Sequence, residues 1–207
     1  MAKVKAPLFS FSAAGKLADS LVYFPWKGIP VVRQYVIPAN PNTTGQSTQR
    51  GYLHDAVAAI HAAQVLVANP LNAVDIAAYN LLGTIYATPR TWFNTVCKQW
   101  LDQKVASLEA SVIHGATVTP GDGTLTVVLY DADFTTGKIE TGTAYYGTSK
   151  TALVNSLAAT PDLVNNKMTL SLTALANGTK YFVQFKTATV ALYVGVNSGI
   201  FSGTPAV

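Results

Sequence analysis

The pattern of hydrophobic and polar positions is typical of strands at the start of the chain. Three runs, at residues 8–12, 21–24 and 31–37, alternate or are rich in β-branched and aromatic side chains. Residues 13–16 and 26–30 contain glycine or proline and are predicted to form the turns. A sheet this small is not stable alone, so we expect it to pack on the rest of the chain or on a partner.

From about residue 43 the apolar residues recur at the spacing of a helix. Thr43, Thr44 and Gln46 fit a capping box, which predicts a helix that runs to about Ala68. We expect its apolar face to contain four side chains, those of Leu53, Val57, Ile60 and Val67.

Two further helices are predicted after a break at residues 69–72. Asn72 is expected to cap the second helix, which ends near Gly83. Pro89 is expected at the first position of the third helix. The apolar face of that helix includes Trp92 and Trp100, whose spacing indicates a core or an interface.

Beyond residue 114 apolar and polar residues again alternate, as is typical of strands. Strands are predicted at residues 124–130, 138–146, 167–172, 180–187 and 190–196, with turns at 121–123 and 177–178. The predicted fold is therefore an α+β module of β-hairpins and about three helices at residues 1–114, followed by an all-β, immunoglobulin-like sandwich at residues 115–207.

Composition narrows the class of protein. Half of the residues are hydrophobic (49%) and only 12% are charged, but no run approaches the roughly 18 apolar residues of a membrane helix. The 21 aromatic residues argue against a disordered chain. One cysteine, Cys97, excludes an intrachain disulfide framework. The first residues lack the apolar core of a secretory signal, so we expect synthesis in a cytoplasm.

Positive charge is concentrated near the start of the chain. Residues 1–50 contain six Lys or Arg and one acidic residue, Asp19. Such an arm favours docking against something acidic, which would be nucleic acid, a membrane surface or a protein. A set of solvated lysines is the alternative.

The segment at residues 175–185 has the form of a tyrosine corner, in which Tyr181 begins a late strand and its hydroxyl bonds back to the upstream backbone. Together with the Tyr-Tyr-Gly-Thr-Ser run at residues 145–149, it makes residues 115–207 resemble a fibronectin type III domain. An Asn at position 177, where a Pro is common, departs from that pattern. The resemblance implies a domain that spaces, decorates or binds.

Residues 9–101 are similar to a module of tailed-phage and prophage structural proteins. The similarity lies in the hairpin around residues 12–19 and in the Asn-Pro-Asn-Thr segment at residues 40–43, which leads to Gln46 and Arg50. The later helices also match, at residues 71–80 and 92–94. The resemblance implies a virion component and carries over no catalytic residue. Arg50 is expected either to pin the hairpin to the helix or to lie in solvent.

Candidate catalytic and metal-binding groups are few. His54 and His61 lie two helical turns apart, about 10 Å, which is too far for a shared metal. His114 is expected in a linker. The acidic run at residues 131–140 lacks the glycine and glutamate positions of a calcium loop. We therefore expect no enzyme activity, no cofactor and no metal.

The expected function is that of a non-enzymatic phage structural protein, attached to a capsid or a tail, whose first module anchors while the sandwich projects. Its expected partners are other virion proteins and copies of itself, with no membrane. A carbohydrate- or cell-surface-binding module, through Tyr145, Tyr146 and Tyr193, is the alternative, and nucleic-acid binding is a weaker one. The structural and interface candidates are Lys3, Lys5, Lys16, Trp26, Lys27, Arg33, Gln46, Arg50, Trp92, Trp100 and Tyr181.

Overall fold

The computed structural model of the chain describes residues 2–3, 14–37, 39–40, 42–131, 141–162, 164–165, 167–188 and 197–206. It has a mixed α+β fold that consists mostly of antiparallel sheet, with three helices in the described ranges. The contacts divide the chain into two compact units, residues 1–43 and 44–207. The sequence pattern predicts a division after residue 114, between the helices and the strands that follow them, and the contacts place both of these parts in the second unit.

The first unit contains one antiparallel sheet. Its strands are β1 (Ala2–Lys3), β2 (Gly15–Leu17), β3 (Leu21–Trp26) and β4 (Ile29–Gln34), in the order β1-β4-β3-β2. Lys27 and Gly28 connect β3 to β4, and both have positive φ, as a two-residue hairpin turn requires. We call this sheet the N-terminal sheet.

The turn predicted at residues 13–16 is wrong within the described residues, because Gly15 and Lys16 pair with β3. The chain reverses instead at Ala18 and Asp19, whose φ angles are +44° and +51°. Neither residue is a glycine, so no strong turn signal is present at these positions. The strand predicted at residues 8–12 lies outside the described residues.

The second unit begins with the helices α1 (Thr44–Val65), α2 (Ala73–Gly83) and α3 (Trp92–Val105). The side chain of Asn72 caps α2 as predicted, and Asp75 completes a reciprocal capping box. The side chain of Thr91 caps α3, which begins at Trp92. Pro89 therefore lies in the connection before the helix, which corrects the predicted start.

The buried face of α1 also differs from the prediction. It consists of Ala56, Ile60 and Ala63, whereas Leu53 is exposed and Val67 lies beyond the helix in solvent. Small alanine side chains allow α1 to approach α3 closely, so the packing follows size as well as hydropathy. The helical core joins these residues to Leu71, Tyr79, Val96, Cys97 and Val112, with Trp92 and Trp100 packed against it.

Two four-stranded sheets follow. The first has the order β5 (Ile113–Gly121), β6 (Thr124–Asp131), β10 (Lys167–Leu172) and β9 (Pro161–Asp162). The second has the order β12 (Phe201–Gly203), β11 (Tyr181–Thr187), β7 (Gly142–Gly147) and β8 (Asn155–Ala159). Alternate residues of both sheets enter one shared core, among them Leu129, Met168, Leu170, Val183 and Phe185.

Several strand predictions are confirmed in this region, and others are incomplete. Residues 124–130, 167–172 and most of 180–187 form strands, and the turns at 121–123 and 177–178 are present. The strands β5, β8, β9 and β12 had not been predicted. The start of the strand predicted at 138–146, and all of that predicted at 190–196, lie outside the described residues.

Candidate functional site

The N-terminal sheet has almost no core of its own. Among its described residues Val31 alone is buried, at 5% exposure, while the apolar residues of β3 remain half-exposed on both faces. Trp26 is 54% exposed, and Val36 and Ile37 after β4 are 68% and 76% exposed. Burial of apolar surface is the main force that stabilises a fold, so this sheet offers unburied apolar surface to a partner.

The net positive charge of the chain lies in the first unit, residues 1–43, which contains this sheet. Residues 1–43 carry five Lys or Arg and one acidic residue, whereas residues 44–207 carry nine of each sign. Lys16 forms an ion pair with Asp19, and its ammonium lies 4.5 Å from the ring centre of Tyr35. The guanidinium of Arg33 lies 5.3 Å from the ring centre of Phe24. The exposed apolar side chains are therefore interleaved with cations.

The predicted interface residues are divided between the N-terminal sheet and the second unit. Lys16, Trp26, Lys27 and Arg33 lie on the N-terminal sheet and are exposed. Lys3 belongs to β1, although its side chain is outside the described structure, as is all of Lys5. Lys16, Trp26, Lys27 and Arg33, together with the exposed apolar side chains above, make up the candidate interaction surface.

The remaining predicted residues lie in the second unit. Gln46 and Arg50 are exposed on the first turns of α1. Trp92 and Trp100 are half-buried against the helical core, as their spacing predicts. The hydroxyl of Tyr181 accepts a hydrogen bond from the backbone N–H of Ala176 at 3.1 Å, which is the contact expected of a tyrosine corner.

A buried polar cluster joins α2 to β5, and no sequence pattern predicts it. Asp75 has no exposed surface, and its carboxylate accepts hydrogen bonds from the backbone N–H groups of Asn72 at 2.9 Å, Gly115 at 2.8 Å and Ala116 at 3.1 Å. Burial outweighs these three bonds and raises the pKa of Asp75 above its ordinary value. The hydroxyl of Tyr79 donates to the carbonyl oxygen of Ile113 at 2.8 Å.

His114 belongs to the same cluster, and its predicted place in a linker is wrong. It lies in β5, is 2% exposed, and its Nδ1 is 2.8 Å from the carbonyl oxygen of Asn69. The amide of Asn72 donates to the carbonyl oxygen of Ala116 at 3.0 Å. These bonds connect residues more than 40 positions apart, so the helices and sheets of residues 44–207 are held together as one unit.

A cleft of about 850 Å³ lies between helices α2 and α3 and the second sheet. Leu82 and Gln103 contribute from the helices, and Tyr145, Gln184 and Lys186 from the sheet. Its size is typical of small-molecule sites.

Among the described residues, no three His, Cys, Asp or Glu side chains lie close enough together to hold a metal ion. His54 and His61 are both exposed on α1, and the acidic run at residues 131–140 is outside the described structure after Asp131. Within the described ranges, no helix combines the length and the apolar content needed to cross a bilayer.

Comparison with models of known protein families and with curated proteins finds no match for this chain. Its function therefore has to be inferred from its own residues.

Proposed function

We propose that the chain is a non-enzymatic structural component of a phage virion, attached to a capsid or a tail through its N-terminal sheet. One observation supports this most directly: the N-terminal sheet exposes apolar side chains on both faces, and the unit that contains it, residues 1–43, carries the whole net charge of +4. A sheet with one buried side chain among its described residues gains little stability from its own packing. A neighbouring protein would supply the missing core.

The chemistry of this surface defines the partner. Trp26, Ile29 and Val36 need an apolar contact, and Lys27 and Arg33 favour acidic side chains around it. Aromatic residues and arginine at the centre of such a patch are typical of binding hot spots. A virion protein or a second copy of this chain with an acidic rim would fit both requirements.

We further propose that residues 113–203 form a fibronectin type III-like sandwich that projects from the particle. The strand orders β5-β6-β10 and β12-β11-β7-β8 and the bond from Ala176 to Tyr181 support this. Such a domain presents its loops to solvent, while α2 and α3 cover part of the outer face of its second sheet. The buried cluster around Asp75 would hold it at a fixed angle to the helices.

Mass spectrometry of purified particles tests the proposal first. The chain is expected among the virion proteins at a copy number that matches a symmetric capsid or tail position. Intact particles without the chain would contradict the structural role.

Charge reversal then tests the attachment surface. In the full-length chain, the double variant Lys27→Glu and Arg33→Glu is expected to reduce incorporation into particles at least tenfold. The double variant Lys167→Glu and Lys180→Glu, in the second unit, makes the same change of net charge; it is the matched control and is expected to assemble normally. Equal incorporation of both variants would show that the N-terminal sheet is not the anchor, and a complex with DNA that is lost in the double variant would favour nucleic-acid binding instead.

A further inference from the structure

The cleft between α2–α3 and the second sheet is built from the outer face of that sheet. Along β11, Val183 and Phe185 point into the shared core, so the alternate residues Gln184 and Lys186 are on the opposite face and line the cleft. Tyr145 pairs with Gln184 across β7 and β11 and lines it too. The helices therefore cover a sheet surface that would otherwise be open to solvent.

Amide side chains supply much of the polar lining. They are Gln99, Gln103, Gln184 and Asn197. Each amide presents both donors and an acceptor, and Gln184 uses one donor on the carbonyl oxygen of Ser198 at 3.3 Å. Groups that donate and accept from one planar side chain suit ligands rich in hydroxyl groups, in which each oxygen also does both.

Aromatic rings lie among these amides. Tyr86 and Tyr145 line the cleft, and the ammonium of Lys186 is 5.3 Å from the ring centre of Tyr145. An aromatic ring offers an apolar surface to the C–H face of a sugar ring. A ligand at Tyr145 would therefore meet an apolar ring and a cation side by side.

The lining carries positive charge that the described residues do not neutralise. The ammonium of Lys150 donates to the hydroxyl of Thr84 at 3.0 Å, and among the described ion pairs neither Lys150 nor Lys186 has a carboxylate partner. Asp102 also lines the cleft, but it is paired with Lys98. Lys150 is half-buried and Lys186 is exposed at the edge of the cleft. Two lysines that border a concave site raise the local concentration of anions.

We propose that this cleft binds a short acidic saccharide, whose carboxylate pairs with the ammonium of Lys150 or Lys186 while its hydroxyls bond to the amides and one ring packs on Tyr145. An acidic peptide would also satisfy the lysines and, through its backbone, the amides, but a sugar ring in addition offers a C–H face to the ring of Tyr145. The site deepens the carbohydrate-binding alternative, and it does not depend on the virion proposal because it lies outside the N-terminal sheet.

Calorimetric titration of the full-length protein tests the ligand class. The probes are 3′-sialyllactose and tetragalacturonate, with lactose as the neutral control that matches the first probe. We expect at least one acidic probe to bind with a Kd in the range of about 0.1 to 5 mM, at least tenfold more tightly than lactose. Binding should weaken several-fold between 50 and 300 mM NaCl. Equal binding of lactose, or no binding of either acidic probe at 10 mM, would overturn the proposal.

Point variants test the location. At least one of the variants Lys150→Gln and Lys186→Gln is expected to bind the acidic probe at least fivefold more weakly, and Tyr145→Ala at least tenfold, with melting temperatures measured to confirm folding. Lys180→Gln is the matched control, because its ammonium lies 5.5 Å from the ring centre of Phe182 but does not line this cleft. Unchanged binding in folded Lys150→Gln and Lys186→Gln proteins, or tighter binding of a hexaglutamate peptide than of either sugar, would also overturn it.

Discussion

The substitution Asp75→Asn tests whether the buried cluster holds the helices on the sheets. The two carboxylate oxygens of Asp75 accept three backbone N–H groups, two on Oδ2 and one on Oδ1. An asparagine has one accepting oxygen, and its NH2 group faces a donor whichever way the amide is turned. At least one buried N–H, that of Ala116 in the better orientation, loses its acceptor.

The expected loss follows from these bonds. A buried N–H without a partner costs about 1–3 kcal/mol, and the remaining bonds become weaker because a neutral oxygen replaces a charged one. We expect the free energy of unfolding to fall by about 2–4 kcal/mol, a large part of the roughly 5–15 kcal/mol typical of a domain. The raised pKa of Asp75 bears only on the weakening of the remaining bonds. The lost bond does not depend on it, since a protonated carboxyl keeps a lone pair on each oxygen while the NH2 group of asparagine has none.

Urea denaturation at pH 7 measures the loss. Trp92 and Trp100 lie against the helical core, so their fluorescence in a Trp26→Phe background reports on residues 44–207 without a signal from the N-terminal sheet. Circular dichroism at 222 nm follows the helices in the same samples. An unchanged slope with a lower midpoint indicates lost stability of the native state.

Asp162→Asn is the matched control. Asp162 also accepts three hydrogen bonds, from the backbone of Val164 and from the backbone and side chain of Asn165. It lies in contact with solvent, so water replaces any bond that is lost and we expect a far smaller change. A stability of Asp75→Asn within about 0.5 kcal/mol of the natural chain would refute the assigned role of the cluster.

Three other predictions concern local features of the second unit. Tyr181→Phe removes the acceptor of the tyrosine corner and is expected to lower stability by about 1–2 kcal/mol, measured as a fall in melting temperature. Gly199→Ala would place a Cβ 2.6 Å from the backbone carbonyl carbon of Ala78 and should lower the free energy of unfolding by about 1–3 kcal/mol. The control Gly51→Ala, in open space on α1, should instead raise it by about 0.5–1 kcal/mol. Equal urea midpoints for the two variants would contradict the close contact at Gly199. Burial raises the pKa of the Cys97 thiol, because the folded chain disfavours the thiolate. The contribution of this neutral thiol to stability should therefore be complete below about pH 8.5, the ordinary pKa of an unfolded cysteine, and should decline as the pH rises above that value. Its reaction with a disulfide reagent at pH 8 should be roughly 100-fold slower in the folded chain than in urea, and similar rates would show that the thiol is accessible.

The sequence by itself determined the elements whose signals are local. The strand at residues 167–172 was predicted with the bounds that it has, because inward and outward side chains alternate without interruption there. The cap at Asn72 and the corner at Tyr181 were also predicted, since their hydrogen bonds reach no further than five residues along the chain. The charge of the N-terminal sheet needed only a count of residues.

The tertiary structure alone decided how these elements join. Nothing in the pattern around Asp75 indicated a partner at Gly115, because that contact closes a loop of 40 residues and depends on how α2 packs against β5. The sequence predicts a linker at His114 for the same reason, since its partner Asn69 is 45 residues away. The cleft lined by both Gln99 and Tyr145 likewise has no sequence signature. Local hydrogen bonds and periodicity are encoded by neighbouring residues, whereas a buried polar cluster or a cleft arises only when distant segments exclude water together.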